Sequence, residues 1–254
     1  MIIRHPERSE GPGGVGGALK AILRAARPAR SLATLGMTVV VFACAHYLHV
    51  VRDFPTYERL AQADPDKRLV EITGIATDVR YATANNFMHK PLYPVARVLL
   101  RAPAARALAD VQRELAPRGL GLKIFDGYRP YSVTVMMWEP IKNPDFVADP
   151  AKGSRHNRGA AVDLTLIDLR TGAEVPMPTP YDDFTTRARQ DFDDLPPEAI
   201  ANRKILRDAM TAHGFDALPS EWWHFDYRGW ERFELLDIDL RVIPSAAERE
   251  GSRN

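Results

Sequence analysis

Two short segments of this chain hold the side chains best suited to chemistry. In residues 154–166, SRHNRGAAVDLTL, His156 and Asp163 stand seven positions apart around Gly159, a spacing that reads as two ligands joined by a turn. Beyond Gly159 the residues alternate, with Val162, Leu164 and Leu166 on one side and Ala161, Asp163 and Thr165 on the other. That is the pattern of a half-buried strand, on which Asp163 would face a cleft beside small neighbours. Residues 219–227, PSEWWHFDY, place Glu221 three positions before His224, with Trp222, Trp223, Phe225 and Tyr227 as apolar walls.

Imidazole nitrogen and carboxylate oxygen both suit zinc, and a catalytic zinc usually takes three protein ligands and leaves the fourth position to water. His156, Asp163 and His224 supply that number. Glu221 then remains free to take a proton from the water, whose pKa zinc lowers to about 7. Taken singly, each residue has a plainer reading: His156 as a loop cap, Asp163 as a sheet-surface carboxylate, and EWWH as an aromatic core turn. Together the two clusters favour a metal centre. A third segment, DGYRPY at 126–131, offers Arg129 on a turn between a strand and a helix, where loops often reach a site. Its guanidinium would stabilise the oxyanion of a tetrahedral state through charge-assisted hydrogen bonds. The plainer alternative for Arg129 is a surface ion pair with Asp126.

The elements that must position these residues follow from periodicity. Residues 68–82 read as extended. Residues 103–117 read as a helix with Leu108, Val111 and Leu115 on one face. The segment GLKIFDGY reads as a strand entering a turn, and Pro130 as the opening of a helix through Met136, Met137 and Trp138. Residues 198–213 give the clearest helix, apolar at Ile205, Leu206, Ala209 and Met210 and stopped by Gly214. Strand-like and helical runs alternate from about Phe54 to Ile243 without a repeat or long linker. The expectation is one α+β domain over 52–243, followed by a polar tail, 244–254.

Composition narrows the chemistry further. Hydrophobic residues make up 45% and charged residues 26%, ordinary for a globular chain. Lys plus Arg number 34 against 33 acidic residues, so no net field draws nucleic acid or an anionic membrane surface. Cys44 is the only cysteine, which excludes an internal disulfide and a cysteine zinc cage and leaves His and carboxylate to hold any metal. Residues 1–30, rich in Gly, Pro and Arg, read as a disordered leader. Residues 31–51 lack Asp, Glu, Lys and Arg and follow Lys20, Arg24, Arg27 and Arg30, the layout of a signal peptide or anchor. Ala43, Cys44 and Ala45 suit a small-residue cleavage site, whereas Phe42 fits a lipoprotein site poorly. Export to the periplasm or envelope is expected; a start at Met37 would remove the basic flank and keep the protein cytoplasmic.

The pattern SxHxxGxAxD, met by Ser154, His156, Gly159, Ala161 and Asp163, the ExxH of Glu221 and His224, and the DGYRP turn together resemble the D-alanyl-D-alanine dipeptidases of the vancomycin-resistance type. The stretches DVRYATANNF and NRKILRDAMTAHGF extend the likeness over about residues 54–228. The resemblance implies a mixed, mainly antiparallel sheet with flanking helices, the zinc D,D-peptidase or Hedgehog-like fold. It also implies one zinc ion per chain and hydrolysis of free D-Ala-D-Ala to two D-alanines. His156, Asp163 and His224 would be its ligands, Glu221 the general base and later acid, and Arg129 the transition-state stabiliser. Ser154 and Asp126 would shape the substrate pocket, and Asp182 in PYDDF would meet the substrate ammonium. Related D,D-carboxypeptidases and endopeptidases acting on peptidoglycan stem peptides form the alternative, disfavoured by the lack of a recognisable wall-binding repeat. A zinc-binding module without catalysis would have little use for Glu221 and Arg129 beside three ligands.

Overall fold

The computed structural model describes residues 48–144, 146–245 and 248. The expected leader 1–30, most of the segment 31–51 and most of the tail 244–254 lie outside the described residues. A short strand β1 (Val50–Val51) leads into helix α1 (Phe54–Ala63), whose first turn is capped by the Asp53 carboxylate accepting from Thr56 N at 2.8 Å. Strands β2 (Leu69–Glu71), β3 (Ala76–Thr77) and β4 (Leu99–Arg101) precede helix α2 (Ala102–Leu115), strand β5 (Leu120–Asp126) and helix α3 (Tyr131–Ile141). Strand β6 (Ala161–Asp168), helix α4 (Pro197–Ala212) and strands β7 (Phe215–Ala217), β8 (His224–Tyr227) and β9 (Leu235–Leu236) complete the order.

The main sheet runs β3-β5-β6-β8-β7; only the β3–β5 pair is parallel, so the expected mainly antiparallel sheet with flanking helices is what forms. Helix α2 buries Ala104, Leu108, Val111 and Leu115, the face read from its spacing. Helix α4 buries Ala199, Leu206, Ala209 and Met210, with Ile205 at the margin of the core, and Gly214 ends it at φ +88°. Two expectations need correction. Residues 68–82 are not one extended run: Gly74, at φ +76°, turns the chain so that β2 pairs with β4 while β3 joins β5, and a 3₁₀ turn follows at Arg80–Ala82. Strand β6 is not half-buried; Ala161 to Ile167 are all buried, because β6 lies at the centre of the five-stranded sheet. Val50 and Val51, just ahead of residue 52, pair in parallel with Leu235 and Leu236.

Arg101, fully buried at the end of β4, ties the parts together. Its guanidinium donates to the carbonyl oxygens of Arg158 (2.6 Å), Glu234 (3.1 Å) and Lys67, and its backbone N–H donates to Gly159 O at 2.8 Å. Among the described residues no helix is long and apolar enough to cross a membrane.

Candidate metal centre

Sheet register assembles the centre. Asp163 on β6 lies directly opposite Asp126 on β5 and directly opposite His224 on β8, so three adjacent strands carry Asp126, Asp163 and His224 in one row. Residues opposite one another in antiparallel strands point to the same face. His156 arrives from the segment just before β6, on a single 3₁₀ turn (His156–Arg158) closed by Gly159 at φ +67°. A side chain on residue 159 would meet Leu69 Cδ2 at 2.5 Å, so glycine is favoured here by both the left-handed backbone and the close packing. Asn157, fully buried, fixes the turn. It accepts from Ser154 N (2.9 Å) and donates to Arg129 O (2.9 Å) and Thr134 Oγ1 (2.8 Å).

The donor atoms of His156, Asp163 and His224 all lie within 4.8 Å of one another. His156 Nε2 is 3.2 Å from His224 Nδ1 and 3.4 Å from Asp163 Oδ1, and His224 Nδ1 is 2.9 Å from Asp163 Oδ1. Tetrahedral zinc with ligand bonds of about 2.0–2.2 Å would hold its donors roughly 3.3–3.6 Å apart, so the triangle needs little adjustment. The outward atom of each ligand is also engaged. His156 Nδ1 contacts Gly127 O at 2.7 Å, His224 Nε2 contacts Asp226 Oδ1 at 3.0 Å, and Asp163 Oδ2 accepts from the Tyr181 hydroxyl at 2.9 Å. Such contacts fix imidazole tautomers and aim the free donors inward, as metal sites require. The residues therefore fit a three-ligand metal.

Within the cluster, burial and neighbouring charges pull against each other. Burial alone would favour neutral His224, but the carboxylates of Asp226 and Asp163 hold its proton affinity well above the usual imidazole range. Glu221 Oε2 stands 4.0 Å from His224 Nδ1 with its side chain 14% exposed, and burial pushes its carboxyl up to about 7. Arg129 is buried and keeps its charge: desolvation opposes ionisation, but Asp126 Oδ2 accepts from Nε at 3.0 Å and from a terminal nitrogen at 2.7 Å. The same guanidinium reaches within 3.8 Å of Asp163 Oδ2 and lies over the Tyr81 ring. The expected Arg129–Asp126 pair exists, yet it is buried at the centre rather than on the surface.

These groups line a cavity of about 320 Å³ that includes Arg129, Ser154, His156, Asp163, Asp182, Glu221 and His224. This lies at the small end of the roughly 300–1,000 Å³ typical of small-molecule sites. Asp182, in a left-handed conformation at φ +61°, accepts from the Tyr81 hydroxyl at 3.1 Å. Burial, and then Asp163, raise its pKa well above the usual carboxylate range. Asp126 does not reach the cavity wall; 1% exposed, it accepts from Tyr93 and Arg129 and stands behind the latter. Sequence reasoning passed over Tyr181, Asp226 and Asn157. Asp226 was visible in principle, two positions from His224 on the same strand face; Tyr181 and Asn157 carried no local signal beyond their neighbours.

A family model described as D-ala-D-ala dipeptidase matches residues 66–234. A D-alanyl-D-alanine dipeptidase of Escherichia coli (strain K12) is 39% identical over 159 residues, 63% of this chain and 82% of that protein. One of Enterococcus faecium is 34% identical over 177 residues, 62% of this chain and 88% of that protein. Among solved structures, the D,D-dipeptidase VanXYg in complex with a D-Ala-D-Ala phosphinate analog aligns at 20% identity and a TM-score of 0.34, over 61% of this chain and 56% of that one. The matched span takes in the Arg129 turn, the His156–Asp163 segment and the Glu221–His224 segment, and the chain belongs to the D-ala-D-ala dipeptidase family of peptidases.

Proposed function

We propose that this protein is a zinc dipeptidase that hydrolyses free D-Ala-D-Ala to two D-alanines. The observation that carries this reading is the convergence of a three-donor triangle, a buried carboxyl and a buried guanidinium on one small cavity. Zinc held by His156, Asp163 and His224 would polarise the scissile carbonyl and acidify the attacking water. Glu221, its carboxyl raised by burial to about 7, takes the proton from that water and returns it to the leaving amine. Arg129, locked by Asp126, presents a fixed positive charge to the oxygen on which negative charge develops. Asp182, its carboxyl held high by burial, would ionise on meeting the substrate ammonium, whose positive charge favours the carboxylate, and Ser154 sets a hydroxyl on the cavity wall. Relatives that bear the name D-alanyl-D-alanine dipeptidase at 31–39% identity support the substrate.

The test is amino-acid release by the purified, zinc-loaded protein from free D-Ala-D-Ala and from a pentapeptide ending in D-Ala-D-Ala. Release from the dipeptide alone is expected. Efficient trimming of the pentapeptide would make the protein a carboxypeptidase, and inactivity on both with zinc bound would sink the reading. Export is a further part of the proposal, supported by the uncharged run 31–51 behind four basic residues. Cell fractionation that recovers the full-length protein in the cytosol would reject it.

A further inference from the structure

One side of the catalytic cavity is formed by three phenylalanines from separate segments, Phe87, Phe146 and Phe184. Their rings form a row. Phe184 meets Phe87 edge-on with centroids 5.3 Å apart, and stacks on Phe146 at 5.1 Å with planes 23° apart. Phe146 and Phe184 also line a second hollow of about 280 Å³, together with Thr185 and Thr186. Ser220 and Glu221 border both spaces, so the second hollow begins beside the general base. The Phe146–Phe184 stack is therefore a partition between two adjoining hollows, with Phe184 supported on both sides.

We propose that Phe184 sets the length of peptide the enzyme accepts, by closing the passage through which a third residue would enter the adjoining hollow. The inference rests on the dipeptidase reading above. Phe184 follows Asp182 by two positions, so the segment that sets a carboxyl in the cavity wall also carries the ring that separates the cavity from the second hollow. With the substrate ammonium at Asp182, a residue added at the amino end would lie on the Phe87 side of the cavity, where the Phe184 ring meets Phe87. The hollow behind is lined by polar as well as aromatic residues, among them Asp183, Thr185, Thr186 and Arg189, a lining that suits a peptide backbone. What excludes it is the wall of interlocked rings, whose aromatic contacts add to their burial and keep the wall shut.

The test compares kcat/KM for free D-Ala-D-Ala with that for a pentapeptide ending in D-Ala-D-Ala, in the zinc-loaded wild type and in Phe184→Ala. The pentapeptide-to-dipeptide ratio should rise by about tenfold or more, the scale on which pocket volume changes discrimination. Phe184→Trp, which keeps the partition, should retain the wild-type preference. If Phe184→Ala does not fold, Phe146→Ala carries the same comparison, since that ring is 38% exposed and its removal spares the core. A ratio within about twofold of wild type in a folded variant with full zinc content overturns the proposal alone. Comparable cleavage of both substrates by the wild type overturns the dipeptidase reading together with this inference. Wild-type inactivity on both overturns the dipeptidase reading and this inference with it.

Discussion

Glu221 sits where burial and charge oppose each other: desolvation raises its carboxyl to about 7, while His224 and Arg129 pull it down. A base poised near neutrality can both accept and return a proton. Glu221→Ala should leave zinc bound and lower turnover about 10² to 10⁴-fold, checked by metal analysis beside the kinetics; loss of metal would make Glu221 a ligand. His224 shows the reverse balance, because Asp226 and Asp163 overcome desolvation and hold its proton. A ligand imidazole must give that proton up. Below the raised pKa of His224, zinc affinity should therefore strengthen about tenfold per unit of rising pH, measured by chelator competition at several pH values. A flat profile would show that His224 is already neutral.

At the scale of elements, the centre depends on one short turn and one strand pairing. The turn His156–Arg158 ends on Gly159 at φ +67°, packed so closely that a methyl group would stand 2.5 Å from Leu69 Cδ2. Gly159→Ala combines a disfavoured backbone conformation with a clash. It should cost about 1–3 kcal/mol in denaturant unfolding and weaken zinc binding, because His156 would be displaced from the triangle. The pairing of β6 with β8 sets Asp163 opposite His224; a shift of one residue would turn every side chain of β8 to the other face and dissolve the site. The helices act less directly: α2 and α4 bury their apolar faces and keep the sheet in place.

At the scale of the whole molecule, Arg101 is a buried group that joins remote segments. Its side chain satisfies carbonyls at Lys67, Arg158 and Glu234, its N–H satisfies Gly159 O, and its guanidinium lies 5.1 Å from the Phe233 ring centroid. One fully buried cation thus holds the loop after α1, the His156 turn and the segment before β9. Arg101→Met would leave three carbonyls without their donor. At about 1–3 kcal/mol for each buried unsatisfied group, the urea midpoint should fall by an amount equivalent to roughly 3 kcal/mol or more. A loss under about 1 kcal/mol would mean water replaces the guanidinium.

That His156, Asp163 and His224, Glu221 and Arg129 belong together could be read from the sequence because each lies in a short segment whose residue types have few other uses together: SRHNRGAAVD, EWWH and DGYRP. Helices α2 and α4 were legible because a helix writes its buried face into its own spacing. The path of residues 68–82 was not, because Gly74 hands the chain from one sheet to another and the partner strands lie far along the sequence. Nor was the full burial of β6, since alternation reports a strand's own direction and not what covers its second face. The contacts of Tyr181 with Asp163 and of Asn157 with Arg129 span 18 and 28 positions, and those between the two histidines span 68. Residue identity fixed which chemistry was available; strand register and a glycine turn decided that the groups meet, because distance between remote residues is set by how elements pair and not by local spacing.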